Sequence, residues 1–194
     1  MTREEIMNLD YNEKVKLIEE GNDEALDVLV NDYDEDVRCA VALQGHDKDL
    51  DILVHDPNWE VRCAVAEYGR DKDLDILVND PSWVVRVYVV RNGRDKDLDI
   101  LVNDSKYDVR EEVAKYGRDK DLDVLVNDQD EYIRRIIAEN GRDKDLDILV
   151  YDEYSHVRAE VAKHGRDKDL DILVADKNEN IRKLVSEIRS SKSK

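Results

Sequence analysis

Four histidines, two cysteines and a recurring run of aspartates are the side chains of this sequence that could do chemistry. The aspartates belong to the stretch "GRDKDLDILVND", which stands at 69–80, again at 93–104, and with one residue altered from 117, 141 and 165. Rows of carboxylates raise the question of calcium, which is held by several oxygen ligands at once. The glycine-spaced loops of calcium-binding repeats are missing, however, and Lys or Arg alternates with the acids. A solvated ladder of opposite charges is the expected arrangement. His46, His55, His156 and His164 fall at four different places of the period, so no pair is forced into metal-ligand geometry. Cys39 and Cys63 are too few for a disulfide framework or a four-ligand metal site. No metal and no cofactor is expected.

Gly-rich phosphate loops and activated Ser or Cys nucleophile motifs are also absent, so the chain does not read as an enzyme. Composition narrows the class further. Charged residues make up 41% of the 194 residues and hydrophobic residues another 41%, too apolar for a disordered polyelectrolyte. A net charge of −18 argues against direct binding to nucleic acid or anionic lipid, because such binding draws on Lys and Arg. It favours a protein partner with a basic surface. No apolar run approaches the length of a membrane-spanning helix, and the start "MTREEIMNLD" is acidic where a secretory signal is apolar. A soluble, cytoplasmic protein is expected.

The elements that position these residues repeat every 24 positions, from Gly21, Gly45, Gly69, Gly93, Gly117, Gly141 and Gly165. Counted from its glycine, each copy has Asp at the twelfth place, Val or Ile at the seventeenth and Arg at the eighteenth. In "DPNWEVRCAVAEYG" (56–69), Asp56 sits where a helix N-cap belongs, with Pro57 at the first helical position. Val61, Val65 and Ala66 share one helical face, and Gly69 supplies the left-handed residue that ends the helix. In "RDKDLDILVND", Asp71 caps a second, shorter helix, partly 3₁₀, whose apolar face is Leu74, Leu77 and Val78. Neither helix is stable alone in water, so copies must stack to bury these faces. The expected fold is all-α: an α solenoid, or superhelix, of stacked short helix pairs in which α-helices alternate with shorter α/3₁₀ helices. Residues 1–20 form an N-terminal helical cap with "TREE" as a capping box, residues 21–188 the seven copies, and residues 189–194 a flexible tail. Most repeated acids sit near helix N-termini, which accounts for them structurally. The arginine of each copy can approach the twelfth-place aspartate of its own copy or of the next.

The pattern of Asp, often Pro, three variable residues, Val-Arg, then Val-Ala, seen in "DPNWEVRCAVAEYG" and "DPSWVVRVYVVRNG", resembles HEAT-like repeats. The 24-residue period with "LDILVND" as second half is most similar to the leucine-rich variant repeat, over residues 21–188. That resemblance implies a right-handed superhelix of alternating α and 3₁₀ helices and leaves function open. One member type carries an iron–sulfur cluster in a cysteine-containing leader; residues 1–20 have no cysteine, so that cofactor does not carry over. HEAT-like folds also include iron-dependent hydroxylases, which need His-Glu pairs absent here, and alkylpurine DNA glycosylases, which use a basic groove.

What varies between copies is the exposed side of the longer helix. In the second and third copies it turns aromatic and apolar, while the fourth has Tyr107 but then Glu111 and Glu112; Trp59, Trp83, Val84, Val87, Tyr88, Arg91 and Tyr107 form a candidate partner-binding surface. The function read from the sequence is a non-enzymatic protein-interaction solenoid that uses these variable faces. The alternative is an acidic DNA mimic, an inhibitor of phage type that occupies a nucleic-acid-binding channel.

Overall fold

A computed structural model describes residues 1–192. Those residues hold sixteen helices and no strand, and none of the helices is long and apolar enough to cross a membrane. They fall into two compact units, Met1–Leu101 and the residues from Val102 onward.

The first unit contains α1 (Arg3–Met7), α2 (Tyr11–Glu19), α3 (Asp23–Leu29), α4 (Glu35–Gln44), α5 (Asp47–Leu53), α6 (Trp59–Tyr68), α7 (Asp71–Leu77), α8 (Trp83–Asn92) and α9 (Asp95–Leu101). The longer helices α2, α4, α6 and α8 pack each on the next, and a short helix runs between each successive pair. The second unit repeats the scheme with α10 (Tyr107–Tyr116), α11 (Asp119–Leu125), α12 (Glu131–Asn140), α13 (Asp143–Leu149), α14 (Ser155–Lys163), α15 (Asp167–Leu173) and α16 (Glu179–Lys192).

The apolar positions expected to face inward do so: Val61, Val65, Ala66, Leu74, Leu77 and Val78 are all buried. Each helix alone presents only a narrow stripe, so the interior exists only where neighbouring copies close over it. Gly69 ends α6 at φ 77°, a conformation that costs a side-chain-bearing residue about 1 kcal/mol. Gly117 departs from the other six glycines, ending α10 in an extended conformation at φ −72° and ψ 168°. The short helices are α-helical over seven residues, and i→i−3 bonds tighten both ends, as from Asp73 N–H to Arg70 O and from Asp80 N–H to Leu77 O.

Three local expectations are corrected. Asp71 does not cap the short helix but is its first residue, with Arg70 at the cap position and no side-chain cap bond. The twelfth-place aspartate does not cap the long helix: Asn58, two residues later, caps α6 by accepting from Glu60 N–H at 2.7 Å. Asp56 instead accepts from Asn58 N–H at 2.8 Å, which folds the entry turn, and Pro57 lies in that turn rather than in the first helical position. Residues 189–192, expected in a tail, continue α16. Arg189 bonds Asp171, and Lys192 reaches Asp167 at 2.7 Å, so these side chains do for the last copy what the following copy does elsewhere. Residues 193 and 194 lie outside the described residues. At the other end the Thr2 capping box forms as expected, with Glu5 answering the Thr2 backbone at 2.8 Å.

Candidate functional site

The repeated charges form two sets of bonds between copies. In the first, Arg62 donates from Nε and Nη2 to Asp80 of the following copy at 2.6 and 2.9 Å, and from Nη1 to the Asp56 carbonyl of its own copy at 2.7 Å. Arg38 holds Asp56 in the same way at 2.7 and 3.1 Å. In the second unit Arg110, Arg134 and Arg158 likewise hold Asp128, Asp152 and Asp176. A planar guanidinium suits this task because its fork meets a carboxylate with two parallel bonds. The sequence left two partners open for this arginine, and the guanidinium uses both copies at once. In the N-terminal cap, Lys14 stands the same 18 positions before Asp32 and lies 2.8 Å from it, with both side chains buried.

The second set ties the short helices. Arg70 forks onto Asp73 at 2.6 and 2.8 Å, then reaches back to Asp47 at 2.9 Å and Asp51 at 2.8 Å in the preceding copy. Lys72 joins Asp51 as well. Hydrogen bonds from Lys72 and then Arg70 hold the Asp51 carboxyl below its ordinary value. Asp75, Asp123 and Asp147 are lowered in the same way, each first by the lysine of the next copy.

The remaining chemistry-bearing residues are placed apart. No group of three or more His, Cys, Asp or Glu among the described residues is arranged to hold a metal ion. His46 occupies the place that Arg70 has in the next copy, with Nδ1 3.7 Å from Asp23 and 3.8 Å from Asp49. His156 is stacked on Tyr132 at 5.4 Å between ring centroids, and His164 Nε2 lies 2.8 Å from Ala138 O. Burial pushes the Cys63 thiol up to about 12 and the Cys39 thiol up to about 11, so neither is an activated nucleophile.

The residues singled out by their variability divide by exposure. Trp59 and Trp83 occupy the same place on α6 and α8, which pack together, and are 43% and 39% exposed. Val84 and Tyr88 are half-buried, and the exposed Arg91 sets its guanidinium 5.2 Å from the Tyr88 ring centre. Tyr107, on α10 of the second unit, is exposed. Val87 differs from expectation: it is 8% exposed and packs inside, because α8 carries valine at several consecutive turns and only one side of it faces out. Sequence reasoning passed over an exposed apolar residue at the eighth place of the copy, on the short helix: Ile52, Ile76 and Ile100 in the first unit, and Val124, Ile148 and Ile172 in the second. Its regular recurrence made it look like framework; its offset from Leu77 and Val78 was the available signal.

No family model matches the chain, and no curated protein matches it. Solved structures do. One described as a leucine-rich repeat variant with a novel repetitive structural motif is 27% identical, with a TM-score of 0.82 over 96% of this chain and 79% of that one. A designed armadillo repeat protein in complex with the peptide (KR)4 is 17% identical, with a TM-score of 0.27 over 97% and 89%. The 24-residue period, the alternation of longer and shorter helices and the first of these likenesses agree: the chain is an all-α helical-repeat protein with the architecture of the leucine-rich repeat variant.

Proposed function

We propose that this protein is a non-enzymatic binding solenoid that takes a protein partner on the exposed side of its long helices. Trp59, Trp83, Val84, Tyr88 and Arg91 form its anchor in the first unit, and Tyr107 is a further exposed aromatic at the same repeat place. One observation carries this reading. The repeated Arg, Lys and Asp residues are engaged in bonds between copies, whereas Trp59, Trp83 and Tyr107 stand in solvent with no such task. Large aromatic side chains contribute most of the energy in many protein interfaces, since they bury much area at little rotamer cost.

The test is affinity capture from the source cell with the wild type and with Trp83→Ala combined with Tyr88→Ala. The double variant should lose the captured protein while its melting temperature stays within a few degrees. Equal loss of complex and of stability would assign the aromatics to packing instead.

A second reading, the acidic DNA mimic, draws on the third-place aspartates, such as Asp71 at 86% exposure. Asp47, Asp71, Asp119 and Asp143 are each bonded to an arginine of the following copy, as Asp71 is to Arg94 at 3.1 Å, which weakens the field they project.

A further inference from the structure

Within the first unit the exposed side of α4, α6 and α8 has a floor of small residues. Cys39 and Ala40 on α4 are half-buried and form its open part, whereas Cys63 and Ala64 on α6, at 6% and 7% exposure, pack inside as Val87 does at the same repeat place as Cys63. Trp59, Trp83 and Tyr88 stand beside this floor. The equivalent places of the second unit hold Glu111 and Glu112 on α10, Arg135 and Ile136 on α12, and Ala159 and Glu160 on α14, so each of those helices carries a charge where α4 and α6 carry none.

The acids around the floor differ from the framework acids. Glu35 and Asp36 on α4 and Glu60 and Glu67 on α6 are exposed, and the framework arginines of these helices, Arg38 and Arg62, fork onto Asp56 and Asp80 instead. Their influence reaches the floor: burial first, then the carboxylates of Asp36 and Glu60, raise the Cys39 thiol to about 11. An apolar floor edged by exposed acids matches an apolar surface edged by cations.

The floor also limits the shape of its occupant. Its side chains are Cys and Ala, with no strong donor or acceptor for a peptide backbone, and the main chain beneath is bonded within its own helices. An extended segment laid there would bury backbone groups unpaired, at a cost of roughly 1–3 kcal/mol each. A helix carries its bonds internally, and small floor residues let it approach closely. We therefore propose that this face docks an amphipathic helix of a partner protein, its apolar stripe on Cys39 and Ala40 against Trp59 and Trp83, and its flanking Lys or Arg side chains toward Asp36 and Glu60. This rests on the binding-solenoid reading and deepens it.

The two tryptophans of the chain, Trp59 and Trp83, both stand at this face and report its occupation by fluorescence. The probe is a synthetic peptide of about 16 residues with Leu at i, i+3, i+4 and i+7 flanked by Arg. Two controls are its twin with Glu for Arg and a version with two internal prolines. The Arg peptide should saturate with a dissociation constant below about 100 μM and shift the emission to the blue. The Glu twin should bind at least about tenfold more weakly, and the proline version not at all. Asp36→Lys with Glu60→Lys, at exposed first-turn positions, should invert the preference between twins. No saturation, equal affinity of the twins, or binding by the proline peptide would overturn the proposal. So would a dimer in sedimentation that Trp83→Ala dissolves, which would assign the face to a second copy. If the Arg peptide leaves the emission unchanged while Trp83→Ala with Tyr88→Ala still abolishes the captured complex, the helical occupant falls and the binding surface stands. If the peptide binds while that double variant keeps its complex, the reverse holds.

Discussion

His46 Nδ1 lies 3.8 Å from the buried Asp49 carboxylate, where in the next copy Arg70 grips the equivalent Asp73 at 2.6 and 2.8 Å. Asp49 Oδ2 has no hydrogen-bond partner, and burial raises the Asp49 carboxyl above its ordinary value. The three acceptors that Arg70 uses have counterparts at this junction in Asp49, Asp23 and Asp27, the last joined by Lys48. His46→Arg should therefore complete the junction and raise stability by about 1–2 kcal/mol, read from urea unfolding. Unchanged or lower stability would show that the site has adapted to imidazole.

The same junction has a pH signature. A carboxyl whose folded value is raised contributes its stability below the unfolded value and loses it as pH rises through the folded one, so ionised Asp49 opposes folding at neutral pH. As pH falls, the raised Asp49 carboxyl takes up its proton more readily, and an arginine beside it has less charge to neutralise. The gap in melting temperature between His46→Arg and wild type should be narrower at pH 5.5 than at pH 8. A gap that does not change would sink this account.

Asp176 tests the opposite sign. The Arg158 hydrogen bond lowers its carboxyl, so its stabilisation is present above the ordinary carboxylate value and is lost as pH falls through the lowered one. Asp176→Asn should destabilise the protein at pH 7 and matter little at the acid end of a melting series.

For the Arg62–Asp80 pair, truncating either side chain to Ala leaves a mostly buried charge without its partner. Each single variant should lose about 3–5 kcal/mol. The double variant should lose much less than the sum, since no orphan charge remains. Additive losses in urea unfolding would mean that the two residues act separately.

Salt separates the two functional readings. A complex anchored on Trp59, Trp83 and Tyr88 should weaken by less than about tenfold between low and high salt, whereas a nucleic-acid mimic would weaken by roughly a thousandfold or more. Titration calorimetry of the captured partner at two ionic strengths decides it.

Much of this molecule is legible along the chain. Period, helix pairing, buried faces and glycine stops follow from residue spacing, because helical geometry relates neighbours three and four apart without reference to anything distant. The aromatics of the candidate site stand out because they break the repeat. Val87 could not be separated from them, because its exposure depends on how α8 turns against α6.

What the sequence by itself determined is therefore the local structure and the need to stack: each copy has too little apolar surface to fold alone. Tertiary structure alone decided where the charges go. Asp56 and Asp80 read as helix caps from their neighbours, yet they serve arginines 18 residues earlier. Lys14 becomes the first member of that series only when α2 packs on α4. The reason is that a carboxylate has several competing acceptor geometries available locally, and the choice falls to whichever donor the packed neighbour brings within reach.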